Sequence, residues 1–199
     1  ISRFVFDDGT FLTVADVVDR LSTDQADIIV SRQAQNVINA GGGSDQIAVG
    51  TYGSANTVMG GTGNDTILID GYGSTTDLLW NAGDGADTVK IGFGSKATIK
   101  FGLLVNKADV SIVASGNDLA IKVAGQTAFL IENGYSDWAV SNGLDGYNYI
   151  ESIEFASGTP ITAVEVTAAL QAIFDAANPP ENQTISGSDS GDVLDGGSG

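Results

Sequence analysis

The chain has 199 residues, with 25 Asp and Glu against 8 Lys and Arg, for a formal charge of −17. That is the wrong sign for nucleic acid or anionic lipid, which attract basic patches, and it suits cations, since carboxylates are the hard oxygen donors calcium prefers. Cysteine and histidine are both absent, which excludes a disulfide framework, a thiolate nucleophile, a zinc site of the usual ligands and a histidine-based triad.

No run approaches the roughly 18 apolar residues of a membrane span, and no basic-then-apolar signal peptide opens the chain. At 42% hydrophobic residues it is not compositionally disordered. The 27 glycines are clustered, with only 3 prolines. Ile1 at one end and GGSG at the other read as a fragment cut from a longer protein.

Residues 1–23 read as a strand, a tight turn at Gly9-Thr10 and a short helix. The helix starts at a capping box, Thr13 with Asp16, which satisfies orphan amides at each end of the pair.

Residues 24–96 carry a repeat of irregular spacing: a polar turn, then Asp or Asn, then a short strand with an aliphatic centre. It recurs at Asp27, Asn36, Asp45, Asn56, Asp65, Asp77 and Asp87, in steps of 9, 9, 11, 9, 12 and 10 residues. The strand centres are Ile29, Ile38, Ile47, Val58, Ile67, Leu79 and Val89. Such strands are too short to pair as isolated hairpins. A coil with two turns and two strands per revolution fits instead, each strand stacking in parallel on the strand two repeats away. No turn buries its aliphatic residue alone, so the turns stabilise one another.

GGTGNDTIL (60–68) matches G-G-x-G-x-D-x-U-x at every fixed position, while AGGGSDQIA (40–48) and AGDGADTVK (82–90) each depart only at the first glycine. By this motif the chain resembles the RTX, or haemolysin-type calcium-binding, family of secreted bacterial proteins. The resemblance implies an all-β fold, a right-handed parallel β-roll, in which calcium sits between successive turns on one side. Backbone carbonyls of the glycine-rich stretch and aspartate carboxylates would supply the oxygens. Glycine is needed there because the chain turns with positive φ while presenting carbonyls to the ion.

Sorted by side, one set of turns ends in Asp27, Asp45, Asp65 and Asp87; the other ends in Asn36, Asn56 and Asp77 and contains Arg32. The first side is glycine-rich from Asp45 onward. Two good calcium sites are therefore expected, one between the Asp45 and Asp65 turns and one between the Asp65 and Asp87 turns. The ligand residues would be Asp45, Asp65 and Asp87 with the turn residues Gly41, Gly43, Gly61, Thr62, Gly63, Gly83, Asp84 and Gly85. A poorer third site would use Asp27, whose turn lacks glycine. The second side departs from the family pattern and should close by hydrogen bonds instead.

Residues 97–176 change to longer alternating strands, ATIKF, DVSIV, LAIKV, AFLIE and YIESIEF, which read as an antiparallel meander with turns at SGND (115–118) and AGQ (124–126). The order GDGADTVKI, FG, GNDLAIKV and IESIEFASGT is similar to that of modules accompanying haemolysin-type repeats. A longer repeat then appears: residues 1–21 align without a gap with 150–170, at an offset of 149. Ile1, Phe6, Gly9, Thr10, Thr13, Val17 and Leu21 recur as Ile150, Phe155, Gly158, Thr159, Thr162, Val166 and Leu170. A second short capping helix is thus expected after Thr162, with Glu165 completing its capping box. Residues 177–199 read as a linker, NPPENQ, and the start of another coil, in which Asp189 and Asp192 would need further turns to bind metal. The whole reads as one module of about 149 residues with the end of one neighbour and the start of another.

The expected function is a calcium-rigidified spacer in a large extracellular or cell-surface bacterial protein, whose partners are neighbouring modules of the same or an identical chain. A ligand-binding adhesin or self-associating filament module is the alternative, with Tyr135, Trp138, Tyr147 and Tyr149 beside Asp137 and Asp145 as the glycan candidates. Catalysis is not expected. Glu151 and Glu154 are a carboxylate pair, but alternate residues of a strand usually face a solvated surface and nothing marks a cleft, and the glycine turns lack the GK[ST] of a phosphate loop.

Overall fold

The computed structural model describes residues 3–5, 7–8, 11–13, 22–134 and 150–177. A hairpin pairs β1 (Arg3–Val5) with β2 (Phe11–Thr13). Eight coil strands follow: β3 (Ile28–Ser31), β4 (Gln35–Asn39), β5 (Gln46–Val49), β6 (Ala55–Met59), β7 (Thr66–Ile69), β8 (Thr75–Trp80), β9 (Asp87–Ile91) and β10 (Lys96–Phe101). After a 3-10 turn (Lys107–Asp109) come β11 (Val110–Ser115), β12 (Asp118–Val123), β13 (Gln126–Ile131), β14 (Ile150–Phe155), β15 (Ile161–Thr162) and helix α1 (Ala163–Ala177).

Successive coil strands alternate between two sheets, so each strand is parallel to the one two positions away. One sheet runs β11-β12-β13-β9-β7-β5-β3 and the other β15-β14-β10-β8-β6-β4. The all-β parallel roll read from the spacing is therefore the fold. Its core consists of two aliphatic ladders. Ile29, Ile47, Ile67, Val89 and Ile131 lie in register on one sheet, and Ile38, Val58, Leu78, Ile99 and Ile153 on the other. Nearly all of these are withdrawn from water, and each fully buried aliphatic side chain contributes about 1.5–3 kcal/mol.

Six of the seven expected strand centres point inward. The seventh does not: Leu78 is fully buried, whereas Leu79 is half-exposed. The step from Asn56 to its partner is 20 residues and lands on Thr76, not Asp77. Side chains alternate along a strand, so this one-residue slip turns Asp77 and Leu79 outward. Asp77 then pairs with Lys100 at 2.9 Å on the outer surface.

The parallel stacking also runs past residue 96. The strands at 97–101 and 150–155, expected in the meander, are coil rungs: β10 is parallel to β8, and β14 to β10. The antiparallel part is β11-β12-β13, with β15 folding back antiparallel on β14, and β13 returns parallel to β9. The turns at 115–118 and 124–126 form, the second with positive φ at Ala124 (50°) and Gly125 (84°), the pairing a two-residue hairpin loop requires.

The capping box at Thr162 is present: the Glu165 amide donates to Thr162 Oγ1 (3.3 Å) and the Thr162 amide to Glu165 Oε2 (2.8 Å). Helix α1 runs 15 residues and buries Val166 and Leu170. The corresponding helix expected after Thr13 lies outside the described residues, as do the aromatic cluster at 135–149 and the segment 178–199. No helix among the described residues is long and apolar enough to cross a membrane.

The register makes a direct test. Leu78→Ala should cost about 2–5 kcal/mol in denaturant unfolding, the range for a large buried aliphatic residue. Leu79→Ala should cost under about 1 kcal/mol. Equal losses would contradict the inward face assigned to β8.

Candidate metal centre

The two columns of turns are built differently. On one side Asp27, Asp45, Asp65 and Asp87 stand in register, one per revolution. From Asp45 onward each carboxylate is tied to the turn before it. The Asp27 amide donates to Asp45 Oδ1 (2.8 Å), the Asp45 amide to Asp65 Oδ1 (2.8 Å) and the Asp65 amide to Asp87 Oδ1 (3.0 Å). Asp45, Asp65 and Asp87 are 2% exposed or less.

That arrangement uses one oxygen of each carboxylate. The other, Oδ2, is buried without a hydrogen-bond partner in Asp45 and in Asp65. An unpaired buried carboxylate oxygen is costly, since it has lost water and gained nothing. These two atoms are the strongest sign of a cation site among the described residues.

The glycines are there because the stacked turns leave no room for a side chain. Gly61 and Gly63 have φ of 91° and 128°, and a Cβ would lie 1.8 Å from the Gly41 carbonyl oxygen and 1.7 Å from that of Gly43. Gly85 meets the Gly63 carbonyl in the same way, at 1.8 Å. A Cβ on Gly60 would lie 2.0 Å from the orphaned Asp65 Oδ2. Gly41, Gly43 and Gly83 also have positive φ, of 99°, 105° and 104°. Thr62 is exposed, and its amide donates to the Gly41 carbonyl. The structure thus brings Asp45, Asp65 and Asp87 together with turns 41–43, 61–63 and 83–85.

Two of the expected ligands are engaged locally. Asp27 Oδ2 accepts from the Thr23 amide and hydroxyl (2.8 and 2.9 Å), which closes its own turn. Asp84 Oδ2 accepts from the Asn81 amide at 2.7 Å. Among the described residues no three acidic side chains converge on one point. A cation between these turns would therefore draw most of its shell from backbone carbonyls. An all-oxygen set mixing carbonyls with few carboxylates suits calcium and not zinc or copper.

Three contacts had no forecast in the motif. Asn64 Oδ1 accepts from the Ala86 amide (3.0 Å) and latches one turn to the next. The Trp80 indole donates to the Gly85 carbonyl (2.9 Å). Beyond Asp87 the in-register residue is Phe129, so the acidic column ends against an aromatic ring.

The other column holds itself with neutral groups. Asn36 Nδ2 donates to Asn56 Oδ1 (2.6 Å) and Asn56 Nδ2 to Thr76 Oγ1 (3.0 Å). Buried Ser74 donates to buried Ser95 at 3.0 Å. Arg32 is spent on the Gly50 carbonyl (3.2 Å) and Asp70 (3.5 Å). Three turns share an aromatic-Gly-Ser sequence, 52–54, 72–74 and 93–95, closed by backbone bonds such as Ser54 N–H to Thr51 O, with Gly53, Gly73 and Gly94 at φ of 64°, 75° and 72°. Their rings, Tyr52, Tyr72 and Phe93, form an exposed file with centroids 6.2 and 6.0 Å apart. The recurrence of that tripeptide was the available signal for it.

Electrostatics distinguish the acidic column. Burial raises the Asp45 and Asp65 carboxyls above their ordinary range, reinforced by the neighbouring aspartates and opposed by the amide bonds. Asp87 is pushed up to about 7 by burial first, then by Asp65 and Asp84. A folded-state pKa above the unfolded value means that the fold binds extra protons between the two. Without metal, stability is then greatest below about pH 4 and falls as pH rises toward about 7. Denaturant midpoints in EDTA should therefore be higher near pH 5 than near pH 8, and Asp87→Asn should flatten that slope; a slope unchanged by Asp87→Asn would contradict the assignment.

No protein-family model matches the chain, and no curated protein is significantly similar to it.

Proposed function

We propose that the chain is a calcium-binding structural module of the RTX, haemolysin-type kind, a spacer stiffened by metal within a large extracellular bacterial protein. The observation that carries this reading is the pair of buried, unpartnered oxygens, Asp45 Oδ2 and Asp65 Oδ2, on aspartates that close stacked glycine-rich turns in a chain of charge −17. On this reading the coil is right-handed and each module ends in a short capping helix.

One ion is held by Asp45 and Asp65 with carbonyls of the 41–43 and 61–63 turns, and a second by Asp65 and Asp87 with carbonyls of the 61–63 and 83–85 turns. The gap between the Asp27 and Asp45 turns is the poorer third site, because Thr23 already occupies Asp27 Oδ2. Calcium, when bound, neutralises carboxylates that otherwise repel. The chain's own part is to hold those carboxylates in register and to present carbonyls from turns that only glycine can make. Folding and binding are then coupled, and the chain folds where calcium is abundant, outside the cell after secretion. No catalytic role is assigned.

Circular dichroism during denaturant unfolding at neutral pH, in calcium and in EDTA, tests the coupling, and a fold as stable in chelator as in calcium would overturn it. Calorimetry tests the ligands. Asp65→Ala should remove two ions, because its carboxylate borders both gaps, whereas Asp27→Ala should leave those two in place. Unchanged stoichiometry in Asp65→Ala would overturn the assignment.

A ligand-binding adhesin module is the second reading, favoured by the exposed file of Tyr52, Tyr72 and Phe93. Aromatic faces and edges of this kind can meet sugar rings. Glycan-array binding that is lost in Tyr72→Ala while calcium binding persists would support it, and an array without signal would remove it.

A further inference from the structure

The 149-residue repeat is also a structural repeat. In the β1–β2 hairpin, Arg3 faces Thr13 and Phe4 faces Leu12. In β14–β15, Ser152 faces Thr162 and Ile153 faces Ile161. Adding 149 to the first pairs yields the second, so the two hairpins share one register. Their surroundings differ. β14 has β15 on one side and β10, in parallel, on the other, where it forms the last rung of its sheet. Among the described residues β1 pairs with β2 alone.

The outer faces differ in charge. β14 is bound to the coil by Glu151 with Lys96 (3.0 Å) and by Glu154 with Lys100 (3.5 Å). The first hairpin has Ser2 and Val5 at those two positions, and Val5 is 60% exposed. In sequence, the buried Ile150 and Ile153 and the half-buried Phe155 of β14 correspond to Ile1, Phe4 and Phe6, so the apolar residue types recur.

We infer that the edge of β1 away from β2, unpaired among the described residues, is a docking edge for the terminal parallel strand of another coil, a strand built like β10 but carrying an uncharged side chain opposite Val5. Parallel strand addition supplies the affinity, through backbone bonds along the strand. The cross-strand charges supply the choice. This chain's own β10 takes β14, whose glutamates answer Lys96 and Lys100, and rejects β1, which leaves both lysines without those partners. The inference rests on the modular reading above but not on metal, since neither hairpin contributes to the Asp45–Asp65–Asp87 column.

The test uses the full chain with residues 150–170 replaced by the sequence of residues 1–21, beside a second chimera that also keeps Glu151 and Glu154. Both should fold in calcium and bind as many ions as the parent. The first should have an unfolding constant about tenfold larger than the second, since each exposed ion pair contributes a few-fold. If neither chimera folds while the parent does, the first hairpin is no coil rung and the inference fails. Equal stability of the two chimeras would overturn the charge code. Self-association of the parent, seen by sedimentation and lost in Val5→Asp, would make a second copy the occupant and likewise overturn the code. Failure of the calcium reading shows separately, as a parent chain indifferent to EDTA.

Discussion

Everything in this molecule depends on in-register parallel stacking of rungs too short to be stable alone. A four- or five-residue strand buries one or two aliphatic side chains, too little to offset the entropy of ordering a whole revolution. Stacking changes the balance, because each rung then shares two backbone ladders and a continuous core with its neighbours. Ile29, Ile47, Ile67, Val89 and Ile131 show the result, a single file of buried side chains drawn from five separate stretches of chain. Stability is thereby a property of neighbours, as in other repeat architectures.

The same register that builds the core creates the strain at the acidic edge. A repeat that places one aspartate per turn must place those aspartates above one another once the turns stack. Their amide bonds hold them there, and burial together with mutual repulsion pushes Asp87 up to about 7. The opposite edge avoids the conflict with the same geometry and neutral chemistry, since amide, hydroxyl and ring ladders gain from being stacked in register. One coil thus has an edge that is complete in itself and an edge whose buried carboxylates keep oxygens unmet.

The ends of the coil follow from where the column residues change character. Phe129 succeeds Asp87, and Ala97 and Ile150 succeed Thr76, so both polar files become apolar as the antiparallel strands and α1 close the far end. The charge pairs Lys96–Glu151 and Lys100–Glu154 add little stability on an exposed surface. Their value is in selecting which hairpin completes the sheet.

The sequence by itself determined the two-sheet parallel coil, the inward aliphatics at six of seven rungs, the aspartate file and the 149-residue repeat, though not that the repeated strand pairs as a hairpin. These follow from local period, from glycine where φ must be positive and from residue spacing. Its resolution ended at choices that depend on a partner strand. Asp77 and Thr76 are both plausible ends of the turn, and only pairing with Asn56 decides that Thr76 faces inward. The strands at 97–101 and 150–155 alternate like any antiparallel strand, and only contact with β8 and with one another makes them parallel rungs. Likewise, a repeating Asp-x-aliphatic pattern cannot say which carboxylate oxygen is already used. That required the stacked turns, which leave Asp27 satisfied by Thr23 but Asp45 and Asp65 each with a buried oxygen unmet.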